Sequence, residues 1–422
     1  VSATIGKPTR ASFLAPFHVR SFRFQWPADL ATSCAFEMET LILGWYVLVE
    51  TQSVLMLTIY ASMQHLGTLL SPMFGVVGDR IGQRKLMSAM RGLYAVLAGG
   101  IMALALTGLL NPYAVLGIAA LMGMVRPSDI GMRTALVGET VPHNQLMGAM
   151  SIQRTTQDFA RIAGALTGAG LMASIGMGLA YVVVTCLYVV ACLLTLQTGG
   201  AQFAAGAQQK KPAEQSPLRD LKEGFVYVWT TPYLLATMYL AFLLNMTAFP
   251  LISALLPFVV KDVYGADQGT LGLMSACAGF GAIAGSILIT RFGSQFRTSR
   301  LMIYMSIIWF LVLLVYSQTK TPAQGMTMMF FAGLSQSIAI VSMAAVLLRT
   351  SDQKFRGRIM GVRMLAIYSN MPGILAAGWL IPRYGFASVA AAYCVFGIVV
   401  TLAIVWYWRA ALWRTDAQAN SR

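Results

Sequence analysis

The chain is a succession of apolar blocks, each long enough to cross a bilayer as a helix. About 20 predominantly apolar residues suffice for one crossing. Blocks of that length occur twelve times, at roughly 23–48, 54–77, 87–109, 112–132, 155–174, 178–198, 233–256, 269–290, 301–317, 325–347, 362–382 and 387–408. None shows the period-two alternation of barrel strands, so helices are expected. Of 422 residues, 57% are hydrophobic and only 11% charged, against about 25% charged in a soluble domain. The formal charge of +15 is carried between the blocks, not as a stripe on a soluble domain, which argues against nucleic acid. Cys34, Cys186, Cys192, Cys277 and Cys394 all fall within blocks, with no CxxC and no Cys/His cluster, so no disulfide, metal or cofactor is expected. Motifs of ATP-driven or hydrolytic chemistry (Walker, HExxH, GxSxG) do not occur. The first 20 residues lack an apolar signal-peptide core, so the first block reads as a retained span.

The stretch "GGAQFAAGAQQKKPAEQSPLRDLK" interrupts the pattern after the sixth block. It reads as a flexible linker leading into a short amphipathic helix near Leu218–Trp229. The expected organisation is therefore an N-terminal six-helix bundle (1–198), a cytoplasmic linker (199–231) and a C-terminal six-helix bundle (232–422). Lys and Arg crowd the N-terminal tail, "DRIGQRK", the linker, "RFGSQFRTSR", "RTSDQKFRGR" and the C-terminal tail, whereas the alternate loops hold only Lys261, Lys320 and Arg383. The positive-inside rule then puts both termini and the linker in the cytoplasm. The halves also align weakly at a constant offset, Gly148 over Gly357 and Gly164 over Gly373. A six-plus-six repeat implies a pseudo-two-fold arrangement with a site between the halves.

"GVVGDRIGQRK" (75–85) follows the second block. Gly75, Asp79, Arg80, Gly82, Arg84 and Lys85 match the G-x-x-x-D-R-x-G-x-R-K signature, and the chain thereby resembles the major facilitator superfamily over nearly its whole length. The resemblance implies a cytoplasmic latch that holds the outward-open state. In it Asp79 meets the N-terminus of span 11, near Gly361, and the basic residues pair with an acid closing span 4, for which Asp129 is available. In the second half Thr290 replaces the aspartate, so no matching latch is expected there. "DIGMRTALVGETVPHNQLMGAM" and "ARIAGALTGAG" are similar to segments of bacterial drug and siderophore exporters of the enterobactin and macrolide efflux type. Asp129 and Arg133 keep that pattern's charges, while Gly131 and Ala165 replace its prolines.

"CAFEMETLILGW" places Glu37 and Glu39 inside the first block, where a carboxylate costs roughly 2.5–3.5 kcal/mol on insertion scales. Two residues apart, they point about 200° from each other on a helix. Glu37 shares a face with Ser33, Thr40 and Gly44; Glu39 shares one with Thr32, Ala35, Leu43 and Tyr46. Glu37 facing the cavity with Glu39 packed against another helix, or the reverse, are both open. Desolvation favours a neutral carboxyl group, so such an acid can take a proton on one side and release it on the other. Glu37, Glu39 and, near the inner end, Asp29 are the proton-coupling candidates, each with the alternative of a purely structural role.

Arg154, Asp158 and Arg161 share one face of span 5, and "RPSD" offers an Arg126–Asp129 pair, read as part of a gate. Gln64 and His65 in span 2, Arg161, Asn245 in span 7, and Tyr368 and Asn370 in span 11 are the cavity candidates, because polar residues and breaks in spans point to a midplane site. The resemblance implies an all-α membrane protein of twelve transmembrane helices in two six-helix bundles: a monomeric inner-membrane exporter of an amphipathic organic molecule such as a drug or siderophore, driven by protons. A uniporter or symporter of a small anionic metabolite, and a transporter-like sensor or assembly protein, remain as alternatives.

Overall fold

The computed structural model describes residues 15–142, 145–199, 217–293, 296–350, 362–363 and 366–419, and the described elements are all helical. Span 1 runs Arg20–Thr51 and ends where Gln52 adopts a left-handed φ of 49°, its amide returning to the Leu48 carbonyl. Ser53 then caps the next helix by accepting from the Met56 amide. Span 2 is broken: Val54–Met63, a 3-10 turn Leu66–Leu70 and Ser71–Ile81 follow one another, with Gln64 and His65 at the break. Gly82, at φ 92°, makes the turn into span 3, Gln83–Leu106. Span 4 is Pro112–Thr140, started by an Asn111 side-chain cap. Spans 5 and 6 form Leu146–Gln197, reversed at Gly176, whose φ of 80° and ψ of 170° are not helical.

A separate helix, Pro217–Thr230, precedes the second half. Span 7 comprises Pro232–Thr247, Phe249–Ile252, Leu256–Phe258 and a π turn Val259–Val263. Pro250 and Pro257 occur along this segment, each lacking the amide a continuous helix needs. Span 8 is Gln268–Phe292, span 9 Thr298–Tyr316, span 10 Pro322–Thr350 and span 12 Phe386–Ala419; of span 11, the helix Asn370–Tyr384 is described.

Eight described helices are individually long and apolar enough to cross a membrane. The difference from twelve has physical causes. Spans 5 and 6 count as one across Gly176. Span 1 carries intramembrane charge, span 2 is broken into short pieces, and part of span 11 lies outside the described residues.

Two large apolar cores form, the second of which also takes in Leu41, Trp45, Val54 and Ala165 of the first half. One is built on Met38, Ile42, Tyr94, Val115 and Val184 of spans 1, 3, 4 and 6. The other is built on Leu243, Trp309, Phe310, Met329 and Cys394 of spans 7, 9, 10 and 12. Between the halves, spans 2 and 11 pack closely, and so do spans 5 and 8. At Gly378 an added methyl would overlap the Thr58 hydroxyl, so only glycine allows spans 2 and 11 this approach. Gly44 of span 1 faces Pro257 of span 7, and Lys261 Nζ donates to Gln52 Oε1 at 2.8 Å. The halves therefore meet toward the end where span 1 turns into span 2.

Candidate functional site

Span 1 presents two polar faces. On one, Glu37 is half-buried, with its Cβ against Gly164 of span 5, and Gly44 looks toward span 7. This is the inter-bundle face. On the other face Gln25, Asp29, Thr32 and Glu39 follow at helical spacing, and all are buried within the N-terminal bundle. Glu39 accepts hydrogen bonds from the hydroxyls of Tyr181 (3.2 Å) and Tyr188 (2.8 Å), both on span 6.

Arg126 of span 4 joins the two faces. It donates to Gln64 Oε1 at 2.7 Å, to the Thr40 hydroxyl at 3.0 Å and to the Phe36 carbonyl at 3.1 Å, and lies over the Phe36 ring. Glu39 is within Coulombic range of it. The expected Arg126–Asp129 pair does not form. Arg126 turns to neutral acceptors on spans 1 and 2, and Asp129 pairs instead with Arg133, one helical turn further on.

Asp29 lies in a charge network. It pairs with Arg91 of span 3, stands 3.8 Å from Arg133 Nε, and accepts from Gln153 at 3.1 Å. Arg91 also donates to Thr195, and Arg133 to the Ser33 hydroxyl at 2.6 Å. Arg91 and the two tyrosines were not foreseen as site residues. Their signals were present: a single arginine inside the third apolar block, and Tyr181, Tyr188 and Thr195 seven residues apart along span 6.

Across the halves, Asn370 Nδ2 lies 3.2 Å from His65 Nε2, and the Tyr368 hydroxyl donates to the Leu66 carbonyl at 2.9 Å. The break in span 2 thus frees a backbone acceptor where span 11 arrives. Arg161 is half-buried. By angle on the helix it falls between Gly164 and Gly168, which meet span 1, and Ala165 and Ala169, which meet span 8. Arg154 and Asp158 pair at 3.4 Å on the same side. Asn245 is not brought into this group; its amide donates to the Ala241 carbonyl of its own helix.

In the signature loop, Arg80 is exposed and Arg84 donates to the Leu196 carbonyl of span 6. The expected pairing of the loop's basic residues with Asp129 is replaced among the described residues by the Asp129–Arg133 pair. The side-chain placements of Gly75 and Asp79, and the whole of Gly357 and Gly361, lie outside the described residues.

A family model described as "Major Facilitator Superfamily" matches residues 33–369 and 238–420. "Multidrug resistance protein MdtG" of Serratia proteamaculans (strain 568) is 23% identical over 342 residues, covering 80% of this chain and 79% of that protein. Its Citrobacter koseri counterpart is 23% identical over 353 residues, covering 83% of each. Among solved structures, the nucleoside transporter NupG superposes with a TM-score of 0.73 at 14% identity, covering 91% of this chain and 98% of that one. The POT family transporter PepTSo gives 0.72 at 12% identity, covering 93% and 98%. At such identities the structures speak for the fold alone. The intramembrane charges, the repeated bundle and the family match agree: this chain is a multi-pass membrane transporter of the major facilitator superfamily, with two six-helix bundles.

Proposed function

We propose that the chain exports an amphipathic organic molecule in exchange for protons, rocking between states open to either side of the inner membrane as a monomer with both termini in the cytoplasm. The bundle boundaries at 198 and 232 mark the two rocking units. Drugs are the favoured substrate class, as the names of the curated relatives suggest, and siderophores a further one. The substrate binds on the inter-bundle face, near Thr40, Gln64, His65, Arg126, Arg161, Tyr368 and Asn370.

The observation that carries this reading is the pair of span 1 glutamates on opposite faces. On this reading Glu37, whose Cβ packs against Gly164, belongs to the substrate side, while Glu39 is bonded to Tyr181 and Tyr188 within the bundle. Arg126 stands between them, bonded to Thr40 and within Coulombic range of Glu39. A proton added to either acid makes the Arg126 neighbourhood more positive, which disfavours a cationic amphipath. That competition is what exchange requires.

The test is proton flux in proteoliposomes, with ethidium as the probe and Glu37→Gln and Glu39→Gln compared with the parent. Exchange predicts that at least one variant loses pH-driven ethidium movement by about tenfold or more. Unchanged flux in both rejects the assignment. A second reading, uptake or facilitated passage of a small anion, is favoured by the neutral partners of Arg126. Benzoate in place of ethidium separates the two, since an anion and a proton bind cooperatively and move together.

A further inference from the structure

Behind span 1, away from the inter-bundle face, polar side chains from five spans form a buried seam. Span 1 contributes Gln25, Asp29 and Glu39; span 3, Arg91 and Tyr94; span 4, Ser128, Asp129 and Arg133; span 5, Gln153; span 6, Tyr181, Tyr188 and Thr195. From Asp29 to Glu39 the seam is about 15 Å long at 1.5 Å per residue. That is about half of a bilayer core.

Three hydroxyl or carboxylate oxygens along it have no protein partner although they are fully buried: the Tyr94 hydroxyl, the Ser128 hydroxyl and Asp129 Oδ1. Tyr94 stacks at a tilt on Tyr188, with ring centroids 5.6 Å apart, and Tyr188 donates to Glu39. Buried polar atoms of this kind are ordinarily satisfied by internal water, which needs two to four polar partners. Here those partners converge from different helices.

We propose that this seam is a hydrated proton path, so that Glu39 exchanges protons with the inner end of the molecule through the interior of the N-terminal bundle and not through the substrate's face. The proposal rests on the proton-exchange reading and specifies its route. The groups facing Glu39 are Tyr181 and Tyr188 from span 6, Tyr60 from span 2, whose hydroxyl reaches the Glu39 carbonyl at 3.5 Å, and Arg126 from span 4. Tyr94 lies within Coulombic range of Asp129, Arg91, Arg126 and Arg133.

Transfer is a relay. Water between Asp129 and Tyr94 passes a proton to the Tyr188 hydroxyl oxygen as that hydroxyl gives its own proton to the Glu39 carboxylate. One proton enters, one O–H bond forms on Glu39, and every intermediate oxygen ends as it began. Separate routes would let the transporter keep protons from leaking past a bound substrate.

The experiment needs no substrate. The full chain in lipid nanodiscs is stepped from alkaline to acidic buffer, and the carboxylic C=O infrared band is followed in time. The band absent from Glu39→Gln belongs to Glu39. Its rise is expected to slow by about tenfold or more in Tyr94→Phe and to slow also in Ser128→Ala. It is expected to keep its parental rate in Gly279→Ala, which adds bulk against Ile162 between spans 8 and 5 on the inter-bundle face. If Gly279→Ala slows the band and Tyr94→Phe and Ser128→Ala do not, protons arrive by the substrate's face; the route is then wrong while proton exchange stands. If the parent shows no band that Glu39→Gln removes, the route is wrong as well.

Discussion

The two bundles are alike in fold and opposite in interior chemistry. The buried charged residues among those described, Asp29, Glu39, Arg91, Asp129, Arg133 and Asp158, are all in the N-terminal half. Asp29 ties spans 1, 3, 4 and 5, Asp129 pairs with Arg133 on its own helix, and Glu39 is held by the two tyrosines of span 6. In the C-terminal half, Thr237, Thr247, Ser306 and Thr401 donate back to carbonyls four residues earlier in their own helices. Such hydroxyls serve their own helix and tie nothing together. Packing does much of that work, as where Trp309 meets Phe249 edge-on at 5.3 Å, beside a few cross-helix bonds such as that from the Ser369 hydroxyl to the Phe242 carbonyl. The first half is thus tied in part by buried ionic and hydrogen-bonded contacts between helices, whereas in the second apolar packing carries more of the joining.

The largest test of this contrast removes charge from one bundle and a hydroxyl from the other. Arg91→Met leaves Asp29 buried with fewer partners and is expected to cost about 3–5 kcal/mol, the usual penalty for breaking a buried pair. Ser306→Ala is expected to cost about 1 kcal/mol or less. Thermal melts in detergent check both, and similar losses would erase the distinction. A smaller effect concerns where the halves touch. Gly378→Leu overpacks spans 2 and 11 against Thr58, which costs about 1–3 kcal/mol in the closed arrangement. Labelling of a Ser53→Cys reporter by an impermeant maleimide should rise accordingly.

The smallest effect lies in the C-terminal half, where an acid is exposed. Asp267 caps span 8, and the amide and hydroxyl of Thr270 hold its carboxyl below the usual carboxylate range. Asp267→Ala should cost about 0.5–2 kcal/mol as a lost cap. Because the folded-state value is depressed, the charge-dependent part is present above the ordinary carboxylate pKa and fades as pH falls through the lowered one. Melts of parent and variant should therefore converge in acid.

The sequence made the helices legible because a bilayer imposes their length, and it made the confinement of intramembrane acid to the first half legible because such residues are few. Span 1 shows the limit. That Glu37 and Glu39 diverge follows from 100° per residue; that Glu39 meets two tyrosines of span 6 does not. Arg126 shows it again. Its local spacing offered Asp129, but the break in span 2 set Gln64 within closer reach, and no pattern in one sequence fixes how span 4 is rotated against span 2. The Tyr181–Tyr188–Thr195 repeat was visible as spacing, yet gained meaning only beside the matching stripe of span 1.

The bridge from Lys261 to Gln52 has a kinetic corollary. Where span 1 meets span 7, the contact is an ammonium–amide hydrogen bond open to solvent and the close approach of Gly44 to Pro257, with no buried ion pair there among the described residues. In the proposed rocking cycle, opening there should be governed by lipid viscosity and temperature and be nearly indifferent to salt.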